Sequence, residues 1–186
     1  MDIDQAIRTR VSVKEYTERP VPPVVVGELL ELAVLAPNHR MTEPVEFRIL
    51  GDGAKRAYAE ALARRKAAKV DDPEAAQQVR DRVIGRTTRV PAMVAVVMRQ
   101  DSDPEIREED YATAFMTIQN LCLGAVGRGL GTHIKTGAVM GEPSLRRALE
   151  VQDGQRLVAI VFLGEPAELP ERKPRTPADR RTRWLE

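Results

Sequence analysis

The sequence predicts an α+β or α/β domain, and three observations carry that prediction. Most of the chain repeats apolar residues at helical spacing, i, i+3, i+4. About four short runs read as strands instead, and one of them, Ala92 to Met98, is apolar at every position. Finally, 186 residues punctuated by proline and glycine suit one domain, large enough to bury a core without disulfides or a structural metal.

The elements follow in chain order. Met1 to Arg10 is a short helix with Ile3, Ala6 and Ile7 on one face. Pro20, Pro22 and Pro23 break the chain and open a helix from Val24 to Ala36, with Val26, Leu29, Leu30, Ala33 and Val34 inward. Pro37-Asn38 ends it, since the residue before a proline is pushed out of helical geometry. A polar loop, residues 38–43, is closed by Pro44 and followed by a strand, Val45 to Leu50. Two charged helices, from about Gly51 to Val70 and from Asp72-Pro73 towards Ile84, have little apolar stripe and belong at the periphery.

The buried strand at Ala92–Met98 leads to a helix spanning Asp110 to Val126. Glu109-Asp110 reads as its N-terminal acid pair, favoured by the helix dipole. This helix is apolar nearly all round, so a subunit interface is an economical way to enclose it. Gly127, Gly129 and Gly131 end it; a strand Leu130–Thr136, a helix Pro143–Leu149 and a strand Leu157–Leu163 complete the domain. Residues 165–186 hold four prolines and little periodicity, so they wrap over a surface.

Composition excludes several functions. Lys+Arg is 29 against 28 Asp+Glu, a net charge of +1, which argues against nucleic-acid binding through a bulk positive field. One cysteine, Cys122, and two histidines, His39 and His133, rule out a disulfide framework, a Cys-rich zinc cage and a three-histidine metal site. No run of apolar residues suits a membrane span and the first residues are not a secretion signal, so the expectation is a cytoplasmic protein without a metal. No nucleophile elbow, phosphate-binding P-loop or zinc-protease motif occurs. The glycines at 127, 129 and 131 follow a helix and precede a strand, the reverse of a dinucleotide fingerprint.

Three clusters could carry chemistry. In Arg10-Val11-Ser12-Val13-Lys14, extended geometry turns Arg10, Ser12 and Lys14 to one side, an arrangement that suits a phosphate; the alternative is a solvated strand edge. His133-Ile134-Lys135-Thr136-Gly137 follows the glycine-rich turn, and Lys135 with Thr136 could bind phosphate or simply end a strand. His39, in the polar loop, could donate to a ligand ring or decorate the surface. The tail cations Arg172, Lys173, Arg175, Arg180, Arg181 and Arg183 lack interleaved aromatics and read as solvated or as a partner contact.

Taken together the segments resemble the FMN-dependent nitroreductase family, its short single-domain members above all. The resemblance rests on Arg10-x-Ser12-x-Lys14-x-Tyr16 before Arg19-Pro20-Val21-Pro22, and on Leu29-Leu30-Glu31-x-Ala33 leading to Ala36-Pro37, then Glu43-Pro44-x-x-Phe47. The apolar helix with its glycine-rich exit and the closing Val161-Phe162-Leu163-Gly164-Glu165-Pro166 complete it.

This resemblance implies an α+β sandwich: a central antiparallel or mixed sheet of about four to five strands flanked by helices, in an intertwined homodimer with FMN at the interface. Residues 1–166 would form the flavin-binding domain and 167–186 a tail packing on the partner subunit. Arg10, Val11 and Ser12 would hold the phosphate end and Lys14 the pyrimidine edge, stabilising charge on the reduced ring. Ile134, Lys135 and Thr136 would contact flavin, with His39 and Glu43 supplied by the other chain.

The implied activity is hydride transfer from NAD(P)H through flavin N5 to a nitroaromatic, quinone or related conjugated acceptor, by a ping-pong scheme with no side-chain nucleophile. Other flavin chemistry on the same scaffold and a non-catalytic flavin-binding dimer stand as alternatives. Glu43, in a loop where relatives often carry an amide, is the feature that favours the second.

Overall fold

The computed structural model describes residues 1–186. Ten main elements follow one another: α1 (Ile3–Thr9), α2 (Pro23–Ala33), β1 (Val45–Ile49), α3 (Asp52–Ala67), α4 (Pro73–Thr88), β2 (Ala92–Arg99), α5 (Pro104–Val126), β3 (Gly131–Lys135), α6 (Pro143–Ala148) and β4 (Gln155–Gly164). The four strands form one antiparallel sheet in the order β1-β2-β4-β3. The chain is thus α+β, and its sheet agrees with the expectation.

Strand β2 explains why an all-apolar run was needed. Val94, Val96 and Met98 face one side, against Leu29 of α2 and Ile118, Leu121 and Cys122 of α5. Met93, Ala95 and Val97 face the other, against Tyr58 and Ala61 of α3 and Leu145 of α6. Helices therefore cover both faces of the sheet, and a central strand meets no water on either side.

Helix α4 packs on α3 and buries just Thr87, so this hairpin stands at the edge of the core. The expectation of a peripheral helix holds for α4 alone: α3 buries Tyr58, Ala59, Ala61, Ala63 and Ala67 and covers one face of the sheet, because its inward stripe is mostly alanine, too weakly apolar to stand out among the charged residues around it. The pyramid of caps is also regular: Asp2, Asp72 and Asp103 each accept a backbone N–H in the first turn of α1, α4 and α5.

One boundary differs. Helix α5 starts at Pro104 behind the Asp103 cap, six residues ahead of Asp110, so Glu109 and Asp110 lie inside the helix and are not its N-terminal acid pair. The apolar stripe begins only at Tyr111, and the polar first turns hid the true start. On the outer side of α5, Ala112 and Met116 stay exposed and Leu123 half-buried, so a single chain leaves part of this apolar helix open.

The N-terminal segment runs beside the β3 edge. Val13 N–H donates to Thr132 O at 2.9 Å, and Ser12 bridges to Thr132 and Tyr16 to Pro166. This contact requires a glycine: a Cβ on Gly131 would lie 2.4 Å from Val13 Cγ2. After Gly164 the chain turns away over the surface, and Arg172 Nη1 donates to Arg8 O at 2.5 Å.

Candidate functional site

Pairing of Ser12 and Val13 with Thr132 on the edge of β3 decides the site, because it lays the Arg10–Lys14 segment beside the His133–Lys135 strand. Arg10, Val11, Ser12 and Lys14 line one cavity of about 330 Å³ together with Ile7. The predicted phosphate-facing residues are thus on one side.

The opposite wall comes from the tail: Arg172, Lys173 and Arg175, with Glu171 as the only acid. The sequence left these cations solvated or in a partner contact; the structure folds the Arg172–Arg175 stretch back onto Arg10–Lys14 of the same chain, so two separate basic segments form one cradle. Neither Arg10, Lys14, Lys173 nor Arg175 makes an ion pair or a side-chain hydrogen bond within the chain. Guanidinium forks, an ammonium and the Ser12 hydroxyl, all unspent, are the donor set a phosphate monoester needs.

Beside this cradle, Lys135 stands on β3 with its ammonium 5.1 Å above the Phe162 ring and 3.1 Å from His133 Nε2. His133 Nδ1 lies 3.0 Å from the carbonyl of Val13, which can only accept, so Nδ1 carries the proton; the Lys135 ammonium stands 3.3 and 3.1 Å from Nδ1 and Nε2, near both ring nitrogens alike. A residue absent from the predicted site therefore links its two halves. Its period-2 position opposite Phe162 was the available signal.

The electrostatics agree. Burial, then the cations Lys135, Lys14 and Arg86, lower the His133 pKa to about 4, against the Val13 carbonyl that favours its protonation. Burial, then Lys66, Arg86 and Lys14, lower that of Lys135 to about 8. Four elements thus point positive charge at one place, with Glu15, paired to Arg86, the acid nearest to hand. Such a concentration is costly without an anion and favourable with one.

The remaining predicted residues lie elsewhere. Ile134 is half-buried against the α2/α5 side of the core and Thr136 is exposed at the end of the strand, before Gly137 at φ 101°. His39 and Glu43 belong to a loop on a different cavity, of about 300 Å³, lined by Asn38, Met41, Glu43, Thr113 and Thr117 among others. A single chain does not bring that loop to Arg10.

The loop is nevertheless built firmly. Arg40, Met41 and Glu43 all take left-handed φ values of 64°, 50° and 45°, unusual without glycine. Asn38 Oδ1 accepts from Glu43 N–H at 2.7 Å, and Thr42 donates to the buried carboxylate of Asp110 at 2.5 Å. Arg99 donates to the Thr42 and Glu43 carbonyls at 2.7 and 3.0 Å. Glu109 takes His39 at 2.8 Å and Arg40 at 3.3 Å, and the His39 hydrogen bond, ahead of Arg40, holds its carboxyl below the usual range. The Glu109-Asp110 pair thus ties down the loop.

The order of these parts, from the Arg10 segment to the strand ending at Gly164, is matched by the sequence profile of the nitroreductase family over residues 7–165. The chain belongs to the nitroreductase family. Among its relatives, YfhC of Bacillus subtilis, whose name assigns it provisionally as an NAD(P)H nitroreductase, is 36% identical over 173 residues, covering 92% of this chain and 88% of its own. Solved structures in the nitroreductase family agree. A nitroreductase-like protein of Bacillus cereus superposes with a TM-score of 0.86 at 30% identity, over 100% of this chain and 97% of that one. The FMN- and NADPH-dependent nitroreductase NfnB of Sphigopyxis sp. strain HMH gives 0.79 at 19% identity over 100% of each chain, which speaks to the fold. No helix is long and apolar enough to cross a membrane.

Proposed function

We propose that the protein is a cytoplasmic, FMN-dependent oxidoreductase, drawing hydride from NAD(P)H and reducing nitroaromatic, quinone or related conjugated acceptors in alternating half-reactions. The observation that carries this reading is the unpaired cradle of Arg10, Ser12, Lys173 and Arg175 beside the convergent ammoniums of Lys14 and Lys135. FMN has a phosphate at one end and develops negative charge at the pyrimidine edge of its ring when reduced, so this donor set fits it at both ends.

Bound there, FMN supplies the two-electron chemistry that no side chain of the protein can offer. Arg10, with Lys173 and Arg175, grips the phosphate; Ser12 donates to a further oxygen. Lys14 and Lys135 hold positive charge beside the ring's electron-rich edge, and the His133 ring packs beside the Lys135 ammonium. Thr136, exposed just past Lys135, would close the strand end, whereas the Ile134 side chain faces the α2/α5 core and leaves its backbone alone to meet the flavin.

In the same reading the active unit is a homodimer, in which the open side of α5 and the exposed Ile3, Leu32 and Leu35 meet a second copy. The partner's copy of the Asn38–Pro44 loop then brings His39 and Glu43 over the ring, and the tail beyond residue 176 lies along the other chain. The strain held in that loop is consistent with a fixed, ligand-facing role.

The test is flavin retention. Arg10→Ala removes a charge-assisted phosphate contact worth about 2 kcal/mol, so FMN binding should weaken roughly 30-fold, read by fluorescence titration of the flavin-free chain. Lys14→Ala should bind FMN more nearly normally yet slow its reduction in a stopped-flow trace. Unchanged FMN affinity in the first variant would remove the cradle from the reading.

A further inference from the structure

Lys14 borders a second cavity, of about 440 Å³, between the Lys14–Glu18 segment and the last turns of α4. There Arg82, Arg86 and Arg89 stand at i, i+4 and i+7, on one face of the helix. The same cavity holds the acids Glu15, Glu18 and Asp81. Glu15 is paired with Arg86, Asp81 keeps its charge while accepting from Gln77 Nε2 at 2.9 Å, and Glu18 has no ion pair, so four cations face three carboxylates. Arg82, Arg89 and Lys14 have no carboxylate within ion-pair distance.

Arg86 ties α4 to the Lys14–Glu15 segment, but no hydrogen bond or ion pair in the fold employs the Arg82 or Arg89 side chain. They are exposed, and the side of α4 that packs inward contributes Thr87. Lys135 on β3 feels the charges of Lys66 on α3, Arg86 and Lys14, so both neighbouring elements add cations around this end of the cavity. Two guanidinium forks without an ion pair, in a concave setting where cations outnumber acids by one, suit a single oxyanion, and a phosphate monoester matches them in shape.

Because Lys14 lines both cavities, a reductant whose nicotinamide reaches the flavin cradle would run its adenosine end towards α4. We infer that Arg82 and Arg89 bind the ribose 2′-phosphate of NADPH and make NADPH, not NADH, the preferred reductant. This inference rests on the function proposed above, and it goes further by naming which donor and which residues select it.

The experiment compares two unreactive probes, adenosine 2′,5′-bisphosphate and adenosine 5′-monophosphate, titrated calorimetrically into the full chain after incubation with FMN. Losing two charge-assisted contacts costs at least one power of ten, so the bisphosphate should bind about 10-fold or more tightly than the monophosphate. R82A/R89A should bring the two probes to parity, and R82Q and R89Q singly should each lose part of the difference; all three should take up FMN as the parent does. Equal affinity of the parent for both probes, or a preference that survives R82A/R89A, overturns the assignment. A parent that takes up no FMN yet still discriminates the probes supports the phosphate site and defeats the flavin reading, so the two failures are distinct.

Discussion

At the residue scale the most informative group is Lys135, a half-buried ammonium with an aromatic ring on one side, a neutral imidazole on the other and no acid of its own. In the flavin-free chain its charge is held against burial and against Lys66, Arg86 and Lys14. Lys135→Met keeps the stem and removes the charge, so the flavin-free protein should gain about 1 kcal/mol at pH 7 once solvent screening is allowed for, in denaturant unfolding. The sign follows from proton linkage. With a folded pKa near 8 and an ordinary value of 10.5, the parent recovers stability as pH rises between them, so the variant's advantage is full below about pH 8 and gone above 10.5. His133 works on the acid side. Its folded pKa of about 4 lies below the ordinary 6.5, so the unfolded chain takes the proton first and stability falls as pH drops through that window. His133→Asn keeps a donor for the Val13 carbonyl and should flatten the decline between pH 6.5 and 4; an equally steep decline would exonerate His133. Sequence alone showed Arg10, Ser12 and Lys14 as one face, because period 2 is local. It could not show His133 between Val13 and Lys135, since that contact joins residues 120 apart in the chain.

Elements were legible where hydrophobic periodicity is strong and obscure where polar residues mask it. The β2 run and the α2 stripe are examples of the first; the start of α5 is an example of the second, because Glu105, Arg107 and Glu108 precede any apolar repeat. The consequence was functional, since Glu109 and Asp110 turned out to anchor the 38–44 loop and not to favour a helix dipole. Contact between the N-terminal segment and β3 depends on a missing side chain. Gly131→Ala would drive a methyl into Val13 and Pro166, at 2.4 and 3.0 Å, so the segment must shift outward. The expected cost is about 1–3 kcal/mol of stability, with weaker FMN binding, since Ser12 and Lys14 move together. A variant that melts and binds FMN as the parent does would mean that the two strands are not held as tightly as this geometry requires.

For the whole molecule, a single chain leaves apolar surface that water should not face. Leu35 is 74% and Ile3 62% exposed, and they share a shallow cavity with Met1, Leu32 and Leu123. Patches of this kind mark a protein–protein contact. Leu35→Glu should therefore convert a dimer to a monomer in sedimentation velocity and lower FMN retention with it; a dimer unaltered by that change would place the contact elsewhere. No local pattern could reveal that the Arg172–Arg175 stretch returns to Arg10, because the link spans most of the chain and leaves only unpaired charge as its trace.

The order of strands has one more consequence. On the β3 side Ser12 and Val13 cover the edge at Thr132, whereas β1, on the other side, is an edge strand with no partner. Pro44 stands at its start, and Glu46 and Arg48 form a 2.7 Å ion pair along it. An incoming extended peptide would have to disrupt that pair and strip its hydration before it could dock, so the molecule's one bare margin resists templating the stacked fibrils to which unguarded sheets are prone.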